Sequence, residues 1–120
     1  NIDIHTGEDY ALVKRTAELG EEIMGEFREF QKSSRTLGEV RGRGLMIGLE
    51  MVEDKKTKEP VNKDKMMGMV GDMMQKGFLI NPCGRFGNVF RLMPPLVITR
   101  EQVKATINAF IETITEMEKK

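Results

Sequence analysis

The sequence has little cysteine, few aromatic residues, no tryptophan and no excess of either charge. Its single cysteine, Cys83, excludes an internal disulfide and fits a reducing compartment. Basic and acidic residues both number 19, so the formal net charge is zero. Nucleic-acid-binding domains normally carry a basic excess and exposed aromatic residues. The balanced charge and the 6% aromatic content therefore argue against a nucleic-acid partner.

Long apolar runs and leader features are also missing. No stretch approaches the roughly 20 apolar residues of a membrane span. The first residues, Asn1 to His5, are mixed in polarity and lack both a leader pattern and an initiator methionine. We expect a cytoplasmic protein without a membrane segment, and we expect the chain to be part of a longer protein. Residues 1–120 suffice for a single domain with one core.

Three segments have the spacing of amphipathic helices, which we expect over residues 6–31, over 62–76 and from Thr99 onward. Each begins with a capping signal: Thr6 with Asp9, Asn62, and Thr99 with Gln102. The predicted core residues are Leu12, Leu19, Ile23, Phe27 and Phe30 in the first helix, Met66, Met69, Val70 and Met73 in the second, and Val103, Ile107, Phe110, Ile111, Ile114 and Met117 in the third.

The second helix also contains Gly68 and Gly71, which cost helix stability and therefore predict close backbone packing. Gly77 is placed to end this helix, with Phe78 as a hydrophobic contact just beyond it.

Four segments predict strands: a short one around Val40, then Leu45–Val52, Phe78–Asn81, and one from Asn88. In Leu45–Val52 every second residue is apolar, which indicates one buried face. The order helix, strand, strand, helix, strand, strand, helix predicts an α+β domain. We expect two layers, with helices on one face of a mostly antiparallel sheet of three or four strands.

Two polar segments predict connections. Arg41-Gly42-Arg43-Gly44 has the wrong glycine spacing for a dinucleotide-binding loop and precedes a strand, so it predicts a turn between two strands. Residues 53–60 are mostly charged and predict a solvated loop.

The most apolar stretch of the chain, residues 88–99, contains one charged residue, Arg91. A buried unpaired charge is costly, so this arginine must reach water or an anion. Strand alternation places Phe90 and Leu92 on the core face and Val89 and Arg91 on the other. Two prolines, Pro94 and Pro95, then end the strand. Arg91 is therefore the candidate site residue.

Two blocks of sequence resemble the C-terminal small domain of class III aminotransferases. The first block is residues 38–52 with the charged segment 54–60, and the second is Asn88-Val89-Phe90-Arg91-Leu92-Met93-Pro94-Pro95-Leu96-Val97-Ile98-Thr99. Residues 77–80, Gly-Phe-Leu-Ile, lie between them and fit as well. The approach to the arginine strand, residues 84–87, is similar to the 4-aminobutyrate and diaminobutyrate branches.

The resemblance implies a pyridoxal-phosphate-dependent enzyme of the aspartate aminotransferase fold type. Such enzymes are usually homodimers and transfer an amino group, often an ω-amino group, to a 2-oxo acid. The resemblance also implies that Arg91 binds a substrate carboxylate. The Schiff-base lysine and most of the cofactor site belong to a large domain before residue 1. We therefore expect no catalytic, cofactor-binding or metal-binding residue here, and an inactive fragment.

The same resemblance implies a surface that packs against the large domain, around Val89, Arg91 and residues 84–87. We expect that surface to be partly apolar in the free chain. The residues alone leave open a stand-alone ferredoxin-like module that binds or senses a small molecule, and a non-catalytic scaffold.

Overall fold

The computed structural model describes residues 7–43, 46–92 and 99–119. The helices are α1 (Gly7–Ser33), α2 (Lys63–Gln75) and α3 (Arg100–Lys119). The strands are β1 (Leu37–Arg43), β2 (Met46–Asp54), β3 (Glu59–Pro60), β4 (Pro82–Cys83) and β5 (Val89–Leu92). The predicted α+β class is confirmed.

The strands form one antiparallel sheet in the order β1-β2-β5-β4, and the two-residue β3 pairs with the far end of β2. The sheet thus has five strands, one more than the largest number expected. In the central pairing, Gly48 lies opposite Arg91 and Leu49 lies opposite Phe90. On the other side of β2, Arg41 lies opposite Gly48 and Val40 opposite Leu49.

One face of the sheet forms the core together with all three helices. Ile47, Leu49 and Met51 of β2 are fully buried, as the alternation in this strand predicts. Phe110 of α3 joins helix to helix and helix to sheet, since its ring lies 6.0 Å from the ring of Phe27 and 5.8 Å from that of Phe90. The two-layer arrangement, with the helices on one face, is confirmed.

The helix stripes agree with the sequence almost throughout. The buried residues of α2 are Met66, Met69, Val70 and Met73. Those of α3 are Val103, Ile107, Ala109, Phe110, Thr113, Ile114 and Met117, with Ile111 half-buried. In α1, Ile23 and Phe27 are buried, Leu19 and Phe30 are half-buried, and the predicted Leu12 lies outside the described side chains.

The ends of α2 have the predicted signals. Asn62 caps the N-terminus, where its Oδ1 accepts a hydrogen bond of 2.9 Å from the Lys65 N–H. At the C-terminus Gly77 adopts a φ of 97°, which favours glycine. The Gly77 N–H donates to the Met74 carbonyl at 3.0 Å and the Phe78 N–H to the Met73 carbonyl at 2.9 Å. This pair of bonds is a Schellman motif, which satisfies the last carbonyls of the helix.

The start of α3 forms the predicted capping box. The Gln102 N–H donates to Thr99 Oγ1 at 3.1 Å, and the Thr99 N–H donates to Gln102 Oε1 at 2.9 Å. Two expectations, the Thr6–Asp9 cap and the corner at Pro94 and Pro95, lie outside the described residues.

The predicted strand at Phe78–Asn81 is wrong. The strand is β4, Pro82–Cys83, which pairs with Phe90 and Val89. Phe78 instead completes the end of α2, and Leu79 is 86% exposed, so its apolar side chain marks no buried strand face. Pro82 is tolerated because β4 lies at the edge of the sheet, where a missing N–H leaves no ladder bond unmade.

Three glycine expectations also need correction. A Cβ added at Gly68 or Gly71 would meet no atom within 4 Å outside the helix, so these residues face open space and not a close neighbour. Gly42 lies within β1 and pairs with Ile47, so it is not in a turn. A Cβ there would clash with the Met46 carbonyl oxygen, and this close strand approach explains the glycine.

Candidate functional site

The sheet has a second face, turned away from the three helices, which we call the outer face. Its described residues are Glu39 and Arg41 of β1, Met46, Gly48 and Glu50 of β2, Val89 and Arg91 of β5, and Cys83 of β4. The helices pack on the opposite side, where the apolar core lies. The outer face therefore carries charged side chains that the core could not accommodate, among them Glu39, Arg41, Glu50 and Arg91.

Arg91 is the exposed residue of β5, and its strand neighbours Val89, Phe90 and Leu92 are all buried. It therefore points away from the core, as the alternation predicts. Within the described residues, no carboxylate lies within 4.0 Å of its guanidinium. A guanidinium with unpaired donors offers a planar fork that fits a carboxylate through two parallel hydrogen bonds.

Arg91 belongs to a row of three residues that crosses three strands: Arg41, Gly48 and Arg91. A Cβ added at Gly48 would lie 3.5 Å from Val89 Cγ1 and 3.9 Å from Arg41 Cγ, which are ordinary contacts. Because glycine has no side chain, nothing on β2 separates the stems of the two arginines. Strands lie about 4.8 Å apart, so these stems stand roughly 10 Å from one another.

The neighbouring row contains two acidic residues, Glu39 and Glu50, which lie directly opposite each other on β1 and β2. Arg41 bridges them, with its Nη1 at 3.0 Å from Glu39 Oε2 and 3.4 Å from Glu50 Oε2. The side chain of Glu50 is 24% exposed and that of Glu39 is 52% exposed. Arg41 therefore lies between two like charges and offsets their repulsion across the strands.

The start of β5 is held by Asn88, which is 5% exposed. Its Nδ2 donates to the Met51 carbonyl at 2.8 Å, and its own carbonyl accepts from the Met51 N–H at 2.8 Å. These two hydrogen bonds to β2 fix the register of β5. They therefore also fix the position of Arg91 opposite Gly48.

The loop before β5 is partly apolar at its surface. Phe86 is 66% exposed, and the guanidinium of Arg85 lies 5.6 Å from its ring centroid. Val89, in contrast, is only 9% exposed, because Gly84 packs against it: a Cβ there would lie 3.0 Å from Val89 Cγ2. Of the residues expected to form an apolar patch around Arg91, Phe86 is open and Val89 is not.

Other reactive groups do not assemble into a site in the part of the chain that the structure describes. Cys83 is half-buried, and its thiol donates to the Val89 carbonyl at 3.3 Å. No group of three or more possible metal ligands occurs within residues 7–43, 46–92 and 99–119. Among the described residues, every helix is too short or too polar to span a bilayer.

Sequence reasoning found Arg91 but missed Arg41 and Glu50. The signal for Arg91 is local, since alternation within one strand reveals its direction. Arg41 and Glu50 become its neighbours only through the pairing register of β1, β2 and β5. That register is a property of three strands and not of a motif.

Comparison of the sequence and structure with known proteins identifies a family of similar proteins. The family model described as "Aminotransferase class-III" matches residues 2–114. An uncharacterised aminotransferase of Bacillus subtilis is 34% identical over 110 residues, which are 88% of this chain and 24% of that protein. An alanine/serine racemase of Pyrococcus horikoshii is 35% identical over 109 residues, which are 91% of this chain and 22% of that protein.

A solved structure is also similar. An amine transaminase from an uncultivated Pseudomonas species, in a pyridoxal-phosphate-bound form, has a TM-score of 0.79 and 28% sequence identity. The match covers 92% of this chain and 24% of that one. The chain thus spans about a quarter of the length of the proteins that it matches. The family model covers nearly all of the sequence, and the chain belongs to the class III aminotransferase family.

Proposed function

We propose that residues 1–120 are one domain, the C-terminal small domain of a longer pyridoxal-phosphate-dependent aminotransferase. The whole enzyme would transfer an amino group, often an ω-amino group, from a donor to a 2-oxo acid. The family match over residues 2–114 and the coverage of about a quarter of each relative support this reading. The alternative, a stand-alone ferredoxin-like module, is not favoured, because the family model spans nearly the whole chain.

In this proposal Arg91 binds the carboxylate of the substrate. The observation that carries it is the exposed guanidinium on the outer face, with no carboxylate within 4.0 Å among the described residues. The register fixed by Asn88 holds the arginine stem at one point of the sheet. The guanidinium thus supplies positive charge and direction, and it orients the substrate.

The described residues of this chain do not fit the covalent anchor of the cofactor. That anchor is a lysine in a protected site, whereas the outer face carries no lysine among its described residues. Lys76 is half-buried, and its Nζ donates to Thr113 Oγ1 at 2.9 Å within the helical layer. Pyridoxal phosphate supplies an electron sink in such enzymes. We assign its anchor to the large domain and no step of the reaction to a lysine here.

We propose that the outer face packs toward the enzyme's own large domain and that the enzyme is a homodimer in the cytoplasm. The exposed Phe86 beside the arginine strand supports the first point. The single cysteine fits the reducing environment of the cytoplasm and so supports the proposed location.

Replacement of Arg91 by alanine in the full-length enzyme tests the function of the site. We expect the KM for the carboxylate substrate to rise roughly 10- to 100-fold, because a hydrogen-bonded charged pair contributes about 1.5–3 kcal/mol. Cofactor affinity, measured by absorbance titration, should change far less. Arg100→Ala is the matched control, since it removes an exposed arginine that pairs with Glu22 at 2.9 Å. Unchanged kinetics in Arg91→Ala would defeat the assignment.

A further inference from the structure

One of the two acids of the outer face, Glu50, lies where it could compete with a substrate for Arg91. Glu50 lies opposite Val89, two residues before Arg91 on β5, so Glu50 and Arg91 are diagonal neighbours on the same face. Diagonal positions in an antiparallel pair are about 7–8 Å apart, within reach of long side chains. The β2 residue opposite Arg91 is Gly48, which has no side chain. No other β2 side chain therefore lies between Glu50 and Arg91.

Glu50 nevertheless turns the other way. Its Oε2 lies 3.4 Å from Arg41 Nη1, while its distance to the guanidinium of Arg91 exceeds 4.0 Å. Arg41 Nη1 also lies 3.0 Å from Glu39 Oε2, so this one guanidinium forms ion pairs with both acids of the face. The two arginines therefore differ in their surroundings. Arg41 is paired with two carboxylates of the chain, whereas Arg91 is free to bind the carboxylate of a substrate.

We propose that Arg41 is a positioning residue that keeps Glu50 away from Arg91. This inference rests on the proposed function of Arg91 as the carboxylate site. Without Arg41, Glu50 would face Glu39 directly, and like charges in this position repel. On the β5 side, the arginine diagonal to Glu50 is Arg91. An ion pair between Glu50 and Arg91 would occupy the guanidinium fork and compete with the substrate carboxylate.

The test is the kinetics of Arg41→Gln in the full-length enzyme, with pyruvate or 2-oxoglutarate as the acceptor, whichever the enzyme uses. We expect the KM for the acceptor to rise about two- to fivefold, a factor typical of one exposed ion pair. The turnover number kcat should stay within about twofold, because Arg41 does not touch the reacting atoms. Arg41→Met keeps the apolar stem and provides a second variant should Arg41→Gln be unstable.

Rescue identifies the cause. In the Arg41→Gln background, Glu50→Gln should restore the wild-type KM fully, and Glu39→Gln only in part, because Glu39→Gln removes the repulsion but leaves the charged Glu50 beside Arg91. If Arg41 served only to separate two acids, either glutamine would restore the KM equally, and the inference would be overturned. A KM unchanged in Arg41→Gln would overturn it as well.

Two further variants separate this inference from the proposed function. Arg100→Gln removes another exposed arginine–glutamate pair, at 2.9 Å from Glu22, and should leave the KM unchanged. If Arg91→Ala raises the KM while Arg41→Gln does not, the positioning role fails and the carboxylate site stands. If Arg91→Ala leaves the KM unchanged, the proposed function itself fails.

Discussion

Glu118, near the end of α3, joins parts of the chain that are more than 80 residues apart in sequence. Its Oε2 accepts hydrogen bonds from Ser34 Oγ at 2.6 Å, from Thr36 Oγ1 at 2.6 Å and from the Thr36 N–H at 2.9 Å. Ser34 Oγ also accepts from the Leu37 N–H at 3.1 Å, which leads into β1. This one carboxylate therefore ties the α1–β1 connection to the last helix.

The variant Glu118→Gln keeps the size of the side chain and removes its charge. We expect a loss of about 1 kcal/mol in the free energy of unfolding at pH 7, since the hydrogen bonds lose their charge assistance. Urea denaturation measures the difference. Glu116→Gln is the matched control, because Glu116 is exposed on the same helix. Equal stability of the two variants would contradict this role for Glu118.

The same residue predicts a pH dependence. Burial raises the pKa of the Glu118 carboxyl, but hydrogen bonds from Ser34 and Thr36, with those from the backbone, outweigh it and lower the pKa below its usual value of 4.5. A carboxyl whose pKa is lowered by folding stabilises the protein above its unfolded pKa, and the effect is lost as pH falls through the folded pKa. The stability gap between wild type and Glu118→Gln should therefore be widest above about pH 4.5 and shrink below it. A gap that widens on acidification would be the opposite result.

At the scale of the element, α2 contains two glycines that no tertiary contact requires. Gly68→Ala and Gly71→Ala should each raise the free energy of unfolding by about 0.5–1 kcal/mol, because alanine restricts the unfolded chain and favours the helix. Gly42→Ala provides the contrast, since its Cβ would clash with the Met46 carbonyl oxygen and should destabilise the strand pair. Thermal unfolding of the three variants distinguishes these cases. Destabilisation by Gly68→Ala would mean that the helix face is not open.

The elements show which parts of the fold a sequence can reveal. The alternation in β2 and the capping box of α3 are local signals, and the structure confirms both. The two-residue strands β3 and β4 are too short to have a period, so the chain reads as loop there. The run around Leu79 is also too short to have a period, so its apolar residues wrongly predicted a strand with a buried face.

The candidate site, too, could be predicted from the sequence only in part. Arg91 is visible in the sequence, because a single charge in an apolar run must leave the core. The bridge from Arg41 to Glu39 and Glu50 is not, because it depends on how far β1 is shifted along β2. A shift of one residue would send these side chains to the opposite face.

At the scale of the whole molecule, the chain should not bind pyridoxal phosphate in a specific way. The described lysines lie at the surface or, for Lys76, within the helical layer, and none is on the outer face. An absorbance titration of the 120-residue chain with pyridoxal phosphate should show only weak, unsaturated reaction with surface amines. A stoichiometric, saturable adduct would place the cofactor anchor in this chain and contradict the division of labour proposed above.

The central claim, that Arg91 recognises the substrate carboxylate, is tested most directly with two acceptors that differ in that group alone. Pyruvate and acetaldehyde share the methyl and carbonyl groups, and only pyruvate has a carboxylate. In the full-length enzyme, Arg91→Ala should lower kcat/KM for pyruvate roughly 10- to 100-fold and leave that for acetaldehyde within about twofold. An equal loss for both acceptors, or no loss for either, would contradict the account.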